Sequence, residues 1–186
     1  MIEVELKFPL QDPDSLLKSL DHVRQNLSFI AREETDEYFQ HPCRDFRVTD
    51  EALRIRASGE QVELTWKGPK LDVLTKSRRE LELTIGDQSA ASEYRRERLR
   101  EILLALGFSS LGFVHKHRRT AEFSFRGRTI HVSVDEVRGL GLFVELETLC
   151  EPPDRESAAA LLLQLADVLG LKNSERRSYI MLLSSQ

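Results

Sequence analysis

Strict alternation of apolar and ionised residues recurs along this chain, and it restricts the fold more than any other feature. In the first segment Ile2, Val4, Leu6 and Phe8 point one way, while Glu3, Glu5 and Lys7 point the other. A period of two specifies a strand with one dry face and one polar face. The same reading predicts strands over 29–39, 52–57, 62–67, 78–85, 112–125, 129–137 and 142–149, with a short last one over 178–183. Pro9 and Gly68-Pro69 end their strands, and Ser58-Gly59-Glu60 forms a hairpin turn. Three helices are expected between them. Asp12-Pro13-Asp14-Ser15 starts one whose stripe is Leu16, Leu17, Leu20 and Val23. Residues 89–106 form a second through Leu99, Ile102, Leu103 and Leu106, stopped by Gly107. Pro152-Pro153-Asp154 opens a third that runs to Leu169. Segments 29–39 and 113–123 share a frame, which points to two related halves.

Composition narrows the class. A chain of 186 residues suits one domain over 1–186. Its 27 basic and 31 acidic residues leave a net charge of −4, without the basic excess of a nucleic-acid binder. No apolar run approaches the roughly 18 residues of a membrane span. The charged, alternating start does not read as a leader peptide. Cys43 and Cys150 have neither disulfide-framework nor zinc-site spacing, so a reducing, cytoplasmic compartment is expected.

The distribution of the charges says more. They recur as like-charged i, i+2 pairs: Glu3/Glu5, Arg54/Arg56, Glu80/Glu82, Lys116/Arg118 and Glu145/Glu147. Such pairs share a face and repel, so local stability does not select them. A half-solvated antiparallel sheet accounts for any one of these strands. A sheet curled closed would account for all of them, by gathering both signs into one lumen beneath an apolar, helix-covered outside. The expected fold is therefore α+β: a closed eight-stranded antiparallel β-barrel with a charged interior and about three flanking helices. In such a lumen Lys7, Arg54, Arg56, Lys67, Arg78, Lys116 and Arg118 could wrap a polyphosphate. Glu3, Glu5, Asp135, Glu145 and Glu147 could hold one or two Mg²⁺ or Mn²⁺ ions. His115 and His117 alternate with Lys116 and Arg118 and so point outward; none of the five histidines is expected on the charged face.

Taken in order, the motifs Glu3-Val-Glu-Leu-Lys7, Thr35-Asp-Glu-Tyr-Phe39, Ala52-Leu-Arg-Ile-Arg56, Leu64-Thr-Trp-Lys67, Arg79-Glu-Leu-Glu82, Val114-His-Lys-His-Arg118 and the run from Val134 to Glu147 resemble the CYTH family, the triphosphate tunnel metalloenzymes. The resemblance extends from Met1 to about Leu183. Within the family, residues 36–56 and the closing Ser178-Tyr-Ile are most similar to the class IV adenylate cyclases. It implies an eight-stranded tunnel and a divalent-dependent reaction on a triphosphate. Glu3 and Glu5 would bind metal, with Asp135, Glu145 and Glu147 near it. Lys7, Arg54, Arg56, Lys67, Lys116 and Arg118 would hold the triphosphate, with Arg78 beside them by strand parity. Glu80 and Glu82 match family positions and could equally orient the basic side chains.

Two chemistries share that tunnel. A cyclase would convert ATP to cyclic AMP and pyrophosphate by attack of the ribose 3′-hydroxyl on the α-phosphorus. A triphosphatase would hydrolyse thiamine triphosphate or inorganic tripolyphosphate, with Tyr38 and Lys67 resembling a pair that activates water. A module that binds nucleotide or polyphosphate without turnover is the third reading. A monomer or homodimer is expected, with no nucleic-acid or membrane partner.

Overall fold

The computed structural model describes residues 1–24, 26–72, 75–86 and 91–186. Its eight strands are β1 (Ile2–Pro9), β2 (Ile30–Gln40), β3 (Ala52–Ser58), β4 (Gln61–Lys67), β5 (Glu80–Ile85), β6 (Ser109–Phe125), β7 (Arg128–Val137) and β8 (Gly141–Cys150). They form one antiparallel sheet in the order β1-β8-β7-β6-β2-β3-β4-β5. Segments 29–39 and 113–123, which share a sequence frame, largely pair with each other as β2 and β6.

The sheet curls but does not close as expected. Its edges β1 and β5 are not laddered together; among the described residues β1 instead meets the segment before β5 at one bridge, Glu3–Arg78, with Lys76 N donating to Glu5 O at 3.0 Å. Regular pairing with β4 begins only at Glu80, so the expected strand over 78–85 is shorter. The segment before it follows Gly68-Pro69 across the gap between the edges. The result is a deep trough, seamed along one side.

Among the described residues five α-helices flank it: α1 (Pro13–Val23), α2 (Phe46–Thr49), α3 (Ser92–Ala105), α4 (Arg155–Val168) and α5 (Tyr179–Leu183). Asp12 caps α1, accepting from the backbone of Asp14 and Ser15 at 3.1 Å each. The expected helix over 89–106 is observed from Ser92; residues 89 and 90 lie outside the described residues. Only part of its expected stripe turns inward: Leu99 and Leu103 pack on the sheet, while Ile102 and Leu106 are exposed. Pro152–Asp154 is a 3₁₀ turn leading into α4. The short last strand expected over 178–183 is instead α5, capped by Ser178, whose Oγ accepts from Met181 N at 3.4 Å.

The outer face of the sheet is the dry one. Val4, Leu6, Ile130, Val132, Val144 and Leu146 pack against Leu16 and Leu20 of α1 and Ala158, Leu162 and Leu165 of α4. Burying each leucine contributes about 1.5–3 kcal/mol. A second cluster places α3 over β3 and β4 through Ile55, Val62 and Leu103. The third lies on the inner face, where Tyr38, Val114, Val137 and Phe143 meet Tyr179 of α5 and plug one end of the trough. Gly112 lies beside a β2–β6 register shift at φ +128°, a backbone conformation that favours glycine.

Candidate active site

Alternation carries the ionised residues inward, as expected, into a cavity of about 460 Å³. Glu3, Glu5, Lys7, Tyr38, Arg54, Arg56, Lys67, Arg78, Glu82, Lys116, Arg118, Glu145 and Glu147 all line it. Asp135 and Glu80 stand behind the lining. Asp135 is fully buried and accepts from Arg118 Nε at 2.6 Å and Nη2 at 2.5 Å. Glu80 lies 2.5 Å from Lys67 and 3.3 Å from Arg78. His115 and His117 are outside the lumen, but His131 lines it, against expectation. It shares the inward parity of Ser133 and Asp135, and its Nδ1 is 3.6 Å from Glu122.

Further residues complete the wall. Arg32, Glu63, Lys76, Ser178 and Tyr179 also line the cavity. Glu34 and Asp36 hold the basic side chains. Asp36 accepts from Arg56 at 2.6 and 2.8 Å and lies 3.7 Å from both Arg54 and Lys116. Glu34 lies 3.3 Å from Arg56 and 3.2 Å from Lys116. Strand parity with Tyr38 marks both acids as inward. Lys76 has no such signal, because it sits on the irregular segment between β4 and β5.

Electrostatics divides the lumen into two regions. In the basic region, burial alone would raise the Asp36 carboxyl, but Arg56, Lys116 and Arg54 hold it well below the usual range. Arg54 is buried, yet its nearest carboxylates are 3.6–3.8 Å away, and its Nε has no hydrogen-bond partner. A buried guanidinium with donors to spare is an anion site in waiting. Lys7 is also held there. Burial and the charge of Lys76 push its ammonium down to about 7. Its Nζ donates to the Arg177 carbonyl at 2.5 Å and lies 4.0 Å from the centroid of the Tyr179 ring.

In the acidic region, Glu3 is within hydrogen-bonding reach of Glu147 and Glu80. Burial opposes ionisation of Glu3, but Lys67 at 3.5 Å brings its carboxyl to about 2. The cost falls on its neighbours. Burial, then the charges of Glu3 and Glu5, raise Glu147 well above the carboxylate range, and burial with Glu3 raises Glu80 to about 7. Among the described residues no three acidic, histidine or cysteine side chains form a ready chelating set. Glu3 and Glu147, with Glu5 opposite Glu147 in the β1–β8 ladder, nevertheless offer the hard oxygen ligands that fit a divalent cation.

Next to the lumen is a small notch of about 90 Å³ between α2 and α5, its wall part apolar and part charged through Arg47, Asp50 and Glu51. Phe39, Phe46, Ile180 and Met181 line it, and it shares Tyr38, Ala52 and Ser178 with the lumen.

Known proteins resemble this chain in sequence and fold. The family model of the CYTH domain matches residues 1–179. A candidate adenylate cyclase of Methanocaldococcus jannaschii is 34% identical over 184 residues, covering 97% of either chain. A Pyrococcus horikoshii structure superposes with a TM-score of 0.81 at 38% identity over 99% of both chains. A Hippeastrum candidate adenylyl cyclase, described as having a dominant triphosphatase activity, shares the fold: TM-score 0.68, 18% identity, 99% of this chain and 95% of that one.

Proposed function

The chain belongs to the CYTH family, and on that premise we propose that it is a class IV-type adenylate cyclase, converting ATP to cyclic AMP and pyrophosphate inside the trough. The observation that carries this reading is the buried Arg54 with unspent donors, set among Arg56, Lys116, Arg118 and Lys67. A triphosphate would take up those donors. The basic side chains, already aligned by Glu34, Asp36 and Asp135, would bear the charge that grows on the leaving pyrophosphate. Because their carboxylate partners hold them in place, little reorganisation is needed at the moment of reaction.

A Mg²⁺ or Mn²⁺ ion, when bound, supplies Lewis acidity that eases loss of the proton from the attacking 3′-hydroxyl. Glu3 and Glu147 would hold it, with Glu5 and Glu145 the other carboxylates on offer. The notch beside Tyr38 and Ala52, with the Phe39 and Phe46 rings on its wall, favours a substrate with an organic ring over bare tripolyphosphate. The M. jannaschii relative, itself a candidate adenylate cyclase, points the same way. The reducing cytoplasm suits the free Cys43 and Cys150.

The second reading is a triphosphatase, with Lys67 and Tyr38 acting on water. Two observations favour it: both side chains reach the lumen, and the Hippeastrum relative is described as a triphosphatase. One product assay separates the readings. ATP, thiamine triphosphate and tripolyphosphate are offered in turn with Mg²⁺ and Mn²⁺. Cyclic AMP with pyrophosphate supports the cyclase. Phosphate released from tripolyphosphate or thiamine triphosphate supports the hydrolase. Binding without turnover leaves a sensor and overturns both.

A further inference from the structure

Arg32 lies where two cavities meet. It lines the lumen, and with Arg118 it also lines a second cavity of about 390 Å³ that continues along β2 and β6 past Ile30, Thr120 and Glu122. The strand register sets Arg32 directly opposite Arg118. Like charges facing each other across a ladder are destabilising. Arg118 is neutralised, with Asp135 and Glu145 at 2.5 Å each. Arg32 is not: among the described residues its guanidinium makes no hydrogen bond, ion pair or ring contact.

The acids of the second cavity are engaged elsewhere. Glu34 lies 3.2 Å from Lys116 and 3.3 Å from Arg56. Glu122 lies 3.6 Å from Nδ1 of His131. The Thr120 hydroxyl, 3.1 Å from that of Ser133, adds a neutral donor to the same wall. A guanidinium without a carboxylate, set opposite a second arginine, is placed to fork onto an anion.

A basic track leads to it. Along the inward face of β2, Arg54 stands across from Tyr38, Arg56 from Asp36, Lys116 from Glu34 and Arg118 from Arg32. From Tyr38, beside the notch, to Arg32 the strand rises roughly 20 Å, which is longer than a triphosphate. We propose that Arg32 holds a fourth phosphate, so that the site takes adenosine tetraphosphate and inorganic tetraphosphate in preference to their triphosphate counterparts. This rests on the triphosphate-binding reading above: three phosphates lie along Arg54, Arg56, Lys116 and Arg118, and the fourth projects into the second cavity.

Isothermal calorimetry on the full chain in EDTA compares two pairs of probes, adenosine 5′-tetraphosphate with ATP and tetrapolyphosphate with tripolyphosphate. The wild type should bind the longer member of each pair about tenfold more tightly. A longer anion also carries more charge, so the variants decide the cause. Arg32→Gln should bring both ratios close to one. Arg98→Gln, which removes the same charge from an exposed site on α3, should keep the wild-type ratios. Equal affinities within each pair for the wild type would overturn the proposal, as would a preference that survives Arg32→Gln. If neither ATP nor tripolyphosphate binds the wild type, the triphosphate reading itself falls and this proposal with it.

Discussion

The Tyr179 hydroxyl donates to Asp135 at 2.8 Å, and Asp135 in turn accepts from both Nε and Nη2 of Arg118. A residue of α5, far along the chain, thus fixes an arginine of the lumen wall. The same ring lies against Lys7 and, at 5.5 Å, Lys116. Tyr179→Phe keeps the ring and its packing on Phe143 but removes the donor. A hydrogen bond to a charged group is worth about 1.5–3 kcal/mol. If Arg118 loosens with its anchor, the affinity for tripolyphosphate should fall up to about tenfold. Isothermal calorimetry in EDTA measures this directly, and an unchanged dissociation constant would show that Asp135 needs no help from α5.

Arg54 and Arg56 sit two residues apart on β3 but should respond differently to truncation. Arg56 is bound to Asp36 by two short hydrogen bonds, whereas Arg54 makes none there. Arg56→Ala leaves a buried carboxylate short of its main partner, and breaking such a pair costs about 3–5 kcal/mol. It should therefore lower both the melting temperature and triphosphate affinity. Arg54→Ala leaves Asp36 with Arg56 and Lys116, so binding should weaken with little loss of stability. Thermal melts alongside binding isotherms check the contrast; equal destabilisation by the two variants would contradict it. Triphosphate binding by the wild type should also fall with salt.

Strand parity, read from the sequence, located most of the lumen because the side-chain period of a strand is fixed by geometry. Glu3, Glu5 and Lys7, like Glu145 and Glu147, needed nothing more. The same parity also held Arg32, Glu34, Asp36 and His131, which continue the inward faces of Tyr38 and Asp135. Lys76 could not be found this way, because no period runs through an irregular segment. The Tyr179-Ile-Met-Leu-Leu run is apolar throughout, so it has no alternation to separate strand from helix. Only the Ser178 cap decides it. Closure failed for a similar reason: pairing between β1 and β5 depends on the path of the crossing segment, not on either strand's own pattern. Ile102 and Leu106 fit the helical stripe of α3, but of that stripe the sheet covers Leu99 and Leu103 and leaves the other two exposed.

Lys7 should make triphosphate binding depend on pH. Its ammonium titrates at about 7 in the fold against an ordinary 10.5, so between those values the unfolded chain binds the extra proton. The contribution of Lys7 to stability therefore rises with pH over that window. A triphosphate reverses the preference, because it favours the charged ammonium. Binding of tripolyphosphate in EDTA should take up a proton at pH 8 and much less of one at pH 6. Calorimetry in two buffers of different ionisation enthalpy reads the uptake. A pH 8 enthalpy independent of buffer would remove Lys7 from the clamp, and Lys7→Met should abolish the effect.

Glu147 should set how metal and pH act together. It and Glu80 keep protons in the fold at pH values where an unfolded chain, with carboxyls near 4.5, has lost them. The native state then binds more protons, and stability falls as pH rises from about 4.5 through about 7, where Glu80 titrates, with the raised Glu147 carboxyl adding to the fall. A divalent cation replaces the departing proton, so the rise in melting temperature on adding Mn²⁺ should be larger at pH 8 than at pH 6. Glu147→Gln fixes the neutral form permanently. In EDTA at pH 8 this variant should melt above the wild type, and the stabilisation by Mn²⁺ should be lost. A variant that melts below the wild type in EDTA would mean that Glu147 is a stabilising anion, paired with Lys67, instead of a carboxylate waiting for a cation.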